Sequence, residues 1–152
     1  MALILSLVRE LAEYERASDE VVATEELLER ALFGPSPVAE AVIAEHDGEP
    51  AGFALFYTSF STWQGVPGVW LEDLFVRERN RGAGVGLALL SHLAQVALER
   101  GCGRLEWAVL DWNEPAIGFY DRLGADSVDD WRLRRLDGAA LERVAGESRS
   151  DR

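Results

Sequence analysis

The sequence has little of three things, namely cysteine, basic residues and long apolar segments. Cys102 is the single cysteine, so an internal disulfide is excluded, in agreement with the reducing cytoplasm that we expect as the location. No apolar run approaches the roughly 18 residues that a membrane span needs, and membrane insertion is excluded. Fifteen basic against 27 acidic residues give a net charge of -12. This balance argues against nucleic acid as a partner and is compatible with a cationic one, although acidity for solubility alone gives the same value.

What is present is a chain of 152 residues, 48% of them hydrophobic, which is long enough for one domain with a buried core. We predict a single domain over residues 1–146 and a disordered tail over residues 147–152. Apolar spacing of three and four predicts helices, alternation predicts strands, and threonine, glycine and proline mark their ends. The predicted helices cover residues 2–16, 24–33, 85–98 and 114–123, and the predicted strands cover residues 38–45, 51–60, 69–76, 104–110 and 131–136. This order predicts an α/β domain with a mixed sheet.

A glycine-rich segment, Arg81-Gly82-Ala83-Gly84-Val85-Gly86, lies between a predicted strand and the best-defined predicted helix. Glycine lets a backbone approach a ligand closely, and the free amides and dipole of a helix start favour an anion. The segment therefore predicts a diphosphate site. Its spacing matches neither the nucleotide-hydrolase loop nor the dinucleotide fingerprint, and a turn that serves only chain reversal is the alternative.

Several motifs together resemble one family. Arg81, Gly84 and Gly86 match the acetyl-CoA loop of GNAT superfamily N-acetyltransferases, in which two residues separate an arginine from a glycine and one residue separates that glycine from the next. Four further segments resemble the diamine (spermidine/spermine) acetyltransferases, namely residues 11–15, 71–76, 112–115 and 119–120. The resemblance implies the GNAT fold, an α+β domain whose mixed and mostly antiparallel sheet is flanked by helices. The family's first strand has no counterpart ahead of the first predicted helix, so we expect it to be missing.

The resemblance also implies acetyl-CoA as the acetyl donor, with no metal. In the family, a bulged strand before the loop contacts the thioester through its backbone, and pantetheine lies along that strand like an added one. The loop and the start of the later helix match positions that hold the cofactor. The implied cofactor-binding residues are Leu74, Phe75, Val76, Arg81, Gly82, Ala83, Gly84, Val85, Gly86, Leu87, Asn113, Glu114, Pro115, Ala116, Tyr120 and Arg122.

Transfer of an acetyl group from a thioester to an amine needs a neutral amine, a polarised carbonyl and a proton for the departing thiolate. The resemblance implies that Tyr120 supplies that proton, and packing of its ring beside Phe119 is the alternative. It also implies Glu72 as the base that drains the proton of the amine, with a solvated strand carboxylate as the alternative. Because neighbours on a strand point to opposite faces, we expect Asp73 to lie away from the pocket of Glu72, and its role is left open.

Acceptor selection is implied for Tyr14, Glu15, Glu72, Glu106, Trp107 and Ala108. A carboxylate beside a ring attracts an ammonium group, whereas an ordinary helix end also explains Tyr14 and Glu15, and a core position also explains Trp107. The main interpretation is an enzyme that acetylates a small cationic amine, a polyamine or diamine, by direct attack in a ternary complex. The alternatives are acetylation of an amino-acid side-chain amine, as in thialysine, and a non-catalytic acetyl-CoA-binding module.

The expected partners are few. The resemblance implies a homodimer. We expect no membrane partner and no nucleic acid, because Glu78 interrupts the arginine cluster of residues 77–81. We also expect no metal, because His46 and His92 lack partners at ligand spacing.

Overall fold

The computed structural model describes residues 1–147, and the chain divides into two compact units, one over Met1–Ala108 and one that begins at Val109. The first contains α1 (Ala2–Tyr14), α2 (Glu25–Phe33), β1 (Glu40–His46), β2 (Glu49–Ser61), β3 (Val66–Val76), α3 (Val85–Glu99) and β4 (Leu105–Trp107), with single 3-10 turns at Ser18–Glu20 and Glu78–Asn80. The second contains α4 (Glu114–Arg122) and α5 (Gly138–Glu147).

The four strands form one sheet in the order β1-β2-β3-β4. The pairs β1-β2 and β2-β3 are antiparallel, whereas β4 runs parallel to β3. The predicted fold class, a mixed and mostly antiparallel sheet with flanking helices, is therefore confirmed. A two-residue turn of Asp47 and Gly48, both with positive φ, joins β1 to β2, as the Asp-Gly signal predicts.

Helices cover the two faces of this sheet. Leu7 and Leu11 of α1 pack with Phe53 and Phe75, which are partners across the β2-β3 ladder. Side chains alternate along a strand, so the buried residues Phe56, Val69 and Leu71 point to the opposite face. On that face α3 contacts β1, β2 and β3 and contributes the buried residues Val85, Leu89, Leu90, Leu93 and Ala97. The α1 face is the one that carries the candidate site.

Local signals explain where most helices begin and end. The Thr24 hydroxyl accepts a hydrogen bond of 3.3 Å from the amide of Leu27, which caps α2 as predicted. The first helix ends two residues earlier than predicted, because Arg16 adopts a φ of 60° and the chain turns there. The fourth strand is also shorter than predicted, with three residues in place of seven.

The predicted strand over residues 131–136 is wrong. That segment has no regular secondary structure, and its large apolar side chains are exposed, with Trp131 at 71% and Leu133 at 77%. Alternating apolar and polar residues show which side chains a strand would bury. They do not supply the neighbouring strand to which its backbone must hydrogen-bond. The helix α5 follows, which the sequence analysis missed. Of the predicted tail, Glu147 ends α5 and the other residues lie outside the described ones.

Candidate active site

The glycine-rich segment leads directly into α3. Gly84 is the N-cap residue, with a φ of +81° and no side-chain cap, and Gly82 has a φ of +79°. A Cβ atom added at either glycine would meet nothing within 4 Å, so the surface above them is open and the need for glycine is conformational. The first-turn amides of Val85, Gly86 and Leu87 have no acceptor within a helix. The segment therefore has the donors, the dipole and the room that a diphosphate requires.

Arg81 is held against the aromatic side chains beside this loop. Its Nε–H donates to the carbonyl of Val76 at 3.0 Å. Its guanidinium carbon lies 4.6 Å from the ring centroid of Tyr14 and 5.9 Å from that of Phe75. Arg81, predicted to bind the cofactor, thus also joins the loop to the end of α1, where Tyr14 was predicted to contact the acceptor.

The sheet leaves the outer backbone edge of β3 uncovered next to the loop. β4 pairs with β3 only over residues 69–71, whereas Leu74, Phe75 and Val76 have a regular ladder with β2. Within the first unit, no strand lies on their other side. Within the first unit, the predicted pantetheine-binding positions therefore have an edge without a strand, as strand-like addition of a ligand requires, and the Val76 carbonyl already accepts from Arg81.

A bulge in β3 corrects the expected orientation of two carboxylates. Phe56 pairs with Leu71 and its neighbour Leu55 pairs with Asp73, so Glu72 is an extra residue on β3. An extra residue shifts the alternation of side chains by one position. Asp73 therefore does not point away from Glu72, as simple alternation predicts. The bulge is centred two residues ahead of the three positions that the resemblance associates with it.

Both carboxylates lie on the α1 face. Asp73 pairs with Leu55, which packs against the core beneath α1. Two residues further along β2, Tyr57 shares that face and pairs with Trp70. The indole N–H of Trp70 donates to the Glu72 carboxylate at 3.0 Å. The bulge thus brings Glu72 and Asp73 together, with Tyr57 and Trp70 beside them.

Glu15, Glu72 and Asp73 form an acidic cluster, in which Asp73 feels the charges of the other two. The pKa of Asp73 is raised from 3.8 to about 6, mainly by burial and then by the negative charges of Glu72 and Glu15. Burial raises the pKa of Glu15, the residue that ends α1. Burial and the charge of Glu72 raise the pKa of the Tyr57 phenol. A cation is stabilised in such a cluster, and Asp73 is placed to exchange a proton near neutral pH.

The other predicted acceptor residues are not all on this face. Glu106 lies beside Trp70 in the β3-β4 ladder, and its carboxylate is 2.7 Å from the Nε atom of Arg104. Trp107 lies beside Leu71, whose side chain points to the α3 face, so the register favours the core alternative for this tryptophan. Ala108 follows β4 and is exposed.

The predicted residues of the second unit belong to α4. Asn113 is buried and caps this helix, with its Oδ1 atom accepting from the amide of Ala116 at 3.4 Å. Pro115 lies in the first turn, and Glu114 and Arg122 are exposed at the two ends. Tyr120 is partly buried, and its ring centroid lies 5.4 Å from that of Phe119 at an angle of 53°. The predicted roles of these residues stay predictions.

Sequence reasoning missed Tyr57 and Trp70 as neighbours of the acidic cluster. The spacing of Trp70 and Glu72, two apart on a strand, was a signal for a shared face. In residues 1–147, no group of three histidine, cysteine or acidic side chains is placed to hold a metal ion. Among the described helices, none combines the length and the apolar character that a bilayer crossing requires.

Comparison with known proteins gives a family match over most of the chain. The Acetyltransferase (GNAT) family matches residues 4–125, a range that includes the glycine-rich loop, the acidic cluster and Tyr120. The chain belongs to the GNAT family of acetyltransferases. It is an acetyltransferase, and acetyl-CoA is the acetyl donor that this family uses.

Curated relatives of this GNAT chain cover nearly its whole length. A thialysine N-epsilon-acetyltransferase from Bos taurus is 41% identical over 95% of this chain and 91% of the relative. The enzyme of the same name from Caenorhabditis elegans is 39% identical over 95% and 90%. The human spermidine/spermine N(1)-acetyltransferase-like protein 1 is 32% identical over 95% of this chain but 22% of its own length. These relatives support the resemblance to the spermidine/spermine acetyltransferase group.

Solved structures support the GNAT fold. An integron cassette protein from the mobile metagenome of V. cholerae aligns with a TM-score of 0.77 and 28% identity, over 93% of this chain and 89% of that one. A ribosomal-protein-alanine N-acetyltransferase from Brucella melitensis aligns with a TM-score of 0.57 and 28% identity, over 66% and 74%.

Proposed function

We propose that this acetyltransferase acetylates the side-chain amine of a small cationic amino acid of the thialysine class. The acidic cluster carries the cationic part of the proposal, because Glu72 and Asp73 lie on the α1 face of the sheet and the charge of Glu15, at the end of α1, acts on Asp73. Relatives with thialysine N-epsilon-acetyltransferase names, 37–41% identical over about nine tenths of both chains, favour this acceptor class over the polyamine that the motifs alone suggest.

The chemistry requires that the acceptor amine lose a proton before attack. An ammonium group bound beside Asp73 faces a carboxylate whose pKa of about 6 makes it a better proton acceptor than an ordinary aspartate, yet leaves it mostly ionised at pH 7. Glu72 is the second carboxylate beside the ammonium group, and it accepts a hydrogen bond from the indole N–H of Trp70. We therefore assign the base to the Glu72-Asp73 pair, with Asp73 as the group that takes the proton.

The donor side of the site fits acetyl-CoA, which supplies the acetyl thioester when it binds. The amides of residues 85–87 and the open surface over Gly82 and Gly84 hold the diphosphate in this proposal. The free edge of β3 at residues 74–76 binds the pantetheine. Tyr120 gives a proton to the departing thiolate, which is the role that the family resemblance implies.

A polyamine is the second candidate acceptor. It is favoured by the acidic cluster itself and by the net charge of -12, since a polyamine carries positive charge alone whereas an amino acid also brings a carboxylate. The human relative with a spermidine/spermine name, at 32% identity, supports the same reading.

A steady-state assay decides between these acceptors. Purified protein is given acetyl-CoA with thialysine, lysine, ornithine, putrescine or spermidine, and kcat/KM is measured for each. All fifteen basic residues are arginine, so no side-chain amine of the protein itself competes for acetyl groups. We expect thialysine to give the highest kcat/KM. A value for spermidine ten times that for thialysine would instead support the polyamine, and no transfer to any amine would support the non-catalytic alternative.

The assembly and the location are also proposals. We propose a homodimer, as the family resemblance implies, and the exposed Trp131 and Leu133 are apolar surface of the kind that a second copy covers. Light scattering of the purified protein tests it, and a monomer at 100 times the assay concentration would contradict it. The cytoplasmic location stays a prediction from the lone Cys102.

A further inference from the structure

The helix α1 is joined at two points to the segment that connects β3 with the glycine-rich loop. Glu10 contacts Arg77 through an ion pair, and one turn later Tyr14 contacts Arg81 through its ring. The two contacts are evenly spaced: Glu10 and Tyr14 are four residues apart on α1, and their partners Arg77 and Arg81 are four residues apart on the connecting segment. The helix that ends in the acidic cluster and the segment that begins the loop are thus aligned side by side.

The contacts of Arg77 are extensive. Its Nε and Nη2 atoms donate to the two oxygens of Glu10 at 2.8 and 2.7 Å, and its Nη1 atom donates to the carbonyl of Pro50 at 2.9 Å. Its amide donates to Ala51 at 2.8 Å, and its carbonyl accepts from Asn80 at 2.9 Å. One residue therefore connects α1, the start of β2 and the turn that enters the loop.

The Glu10-Arg77 pair is more than a solvated surface ion pair. The two side chains are 34% and 20% exposed, and the hydrogen bonds with Arg77 are the main reason that the pKa of Glu10 is lowered. Two parallel hydrogen bonds fix the orientation of the two side chains as well as their separation, because the planar guanidinium and the carboxylate must be nearly coplanar. A cleft of about 810 Å³ opens beside the pair and is lined by both residues, by Glu13 and Tyr14 of α1, and by Phe75, Glu78, Arg79 and Arg81.

We propose that Glu10 and Arg77 are positioning residues that hold the acceptor-binding end of α1 at a fixed distance from the phosphate-binding loop. This inference rests on the proposed function, because it assigns Tyr14 and Glu15 to the acceptor and the loop to acetyl-CoA. Neither Glu10 nor Arg77 touches a reacting group in this proposal. They act through α1 and through the turn at Glu78–Asn80, so that the amine and the thioester meet at the correct separation.

The chain offers a matched control for the pair. Arg100, which follows α3, also makes a two-point contact, with its Nη1 and Nη2 atoms donating to the two oxygens of Glu40 at the start of β1 at 2.6 and 2.7 Å. This pair also joins a helix to the sheet, but it includes neither α1 nor the loop. Loss of Glu40 therefore removes a two-point ion pair, although a more exposed one at 47% and 42%, without disturbing the alignment of α1 with the loop.

The test compares Glu10→Gln, Arg77→Lys and Glu40→Gln with the wild-type chain. Calorimetry gives the Kd for coenzyme A, steady-state kinetics give kcat and the KM for the acceptor, and thermal unfolding gives Tm. For Glu10→Gln we expect kcat/KM for the acceptor to fall about three- to tenfold, the range that couplings carried through packed elements produce. Arg77→Lys keeps the charge but loses the fork, and we expect a smaller loss in the same direction. Glu40→Gln should match the wild type in both kinetic constants even where its Tm falls.

The outcomes distinguish a failure of the positioning role from a failure of the proposed function. Wild-type kinetics for Glu10→Gln, or an equal loss for Glu40→Gln at the same change in Tm, would overturn the positioning role and leave the proposed function intact. If Glu10→Gln does not fold, Arg77→Lys decides: a fall in kcat/KM for the acceptor that Glu40→Gln does not show supports the positioning role, and wild-type kinetics overturn it. A wild-type chain that binds no coenzyme A would reject the proposed function, and the positioning role with it.

Discussion

Glu72 and Asp73 are adjacent in sequence and also lie on the same face of the sheet, because the bulge in β3 places an extra residue between Leu71 and Asp73. The charge of Glu72 adds to burial in raising the pKa of Asp73 to about 6. On a regular strand the two side chains would point to opposite faces, and the charge of Glu72 would act less strongly on Asp73. The pair is therefore a small electrostatic unit, and its members are expected to respond to each other's removal.

The first prediction concerns the pH dependence of transfer. A base must be deprotonated to act, so kcat/KM should rise with pH through about 6, the pKa of Asp73. Glu72→Gln removes a negative charge that raises this pKa, and the rise should move to lower pH. Asp73→Asn should remove it and lower kcat/KM by about 10²-fold or more, the usual contribution of a general base. Rate profiles from pH 5 to 9 check both changes.

Two results would contradict this assignment. A rise that stays at the same pH in Glu72→Gln would show that the titrating group is elsewhere. Full activity in Asp73→Asn would return the base to Glu72 alone, as the family resemblance implies.

The second prediction concerns stability. The pKa of Asp73 is higher in the folded chain than in the unfolded one, so the carboxyl stabilises the fold below about pH 4 and this contribution is lost as pH rises through about 6. A rise from 3.8 to about 6 corresponds to at most roughly 3 kcal/mol, and partial exposure reduces it. Asp73→Asn should therefore raise Tm at pH 8 and change it less at pH 4.5. Calorimetry at both values checks this, and an equal change at both would contradict it.

The third prediction concerns the glycine at the start of α3. Gly84 has a φ of +81°, which costs an alanine about 1 kcal/mol, and its amide neighbours form the proposed diphosphate site. Gly84→Ala should therefore weaken coenzyme A binding by about tenfold as the first turn relaxes. Gly101, at the other end of the same helix, has a φ of +67° and equal space, so Gly101→Ala is a control for strain alone. Calorimetric Kd values compare them, and equal affinities in the two variants would reject the site.

Much of this fold could be predicted from local signals. The Asp47-Gly48 turn, the Thr24 cap and the glycine that opens α3 fix their elements through backbone chemistry that a sequence displays directly. The glycine-rich loop could be found for the same reason. These features depend on a few neighbouring residues and on no distant partner.

Three features could not be predicted in this way, and each has a physical cause. The orientation of Asp73 depends on the register with β2, because a bulge is a property of two strands. The absence of a strand at residues 131–136 reflects the lack of a strand that pairs with this segment, and the alternating pattern of side chains carries no information on such pairing. The contact between Glu10 and Arg77 joins residues 67 positions apart, a separation at which spacing carries no information. By contrast, α5 was missed although the spacing of Leu141 and Val144 was a helical signal.

The last prediction concerns Tyr120, the residue of α4 that we propose as the acid for the departing thiolate. Tyr120→Phe removes the hydroxyl and keeps the ring that packs against Phe119. We expect kcat to fall by about 10²-fold, because a phenol is the proton donor that the leaving thiolate requires, while the Kd for coenzyme A changes less than about twofold. Single-turnover transfer and calorimetry measure the two quantities. Phe119→Leu is the control, since it disturbs the same ring contact and leaves the phenol in place. We expect it to lower Tm and to keep kcat near the wild-type value. Wild-type turnover in Tyr120→Phe would mean that the ring serves packing alone and that another group protonates the thiolate.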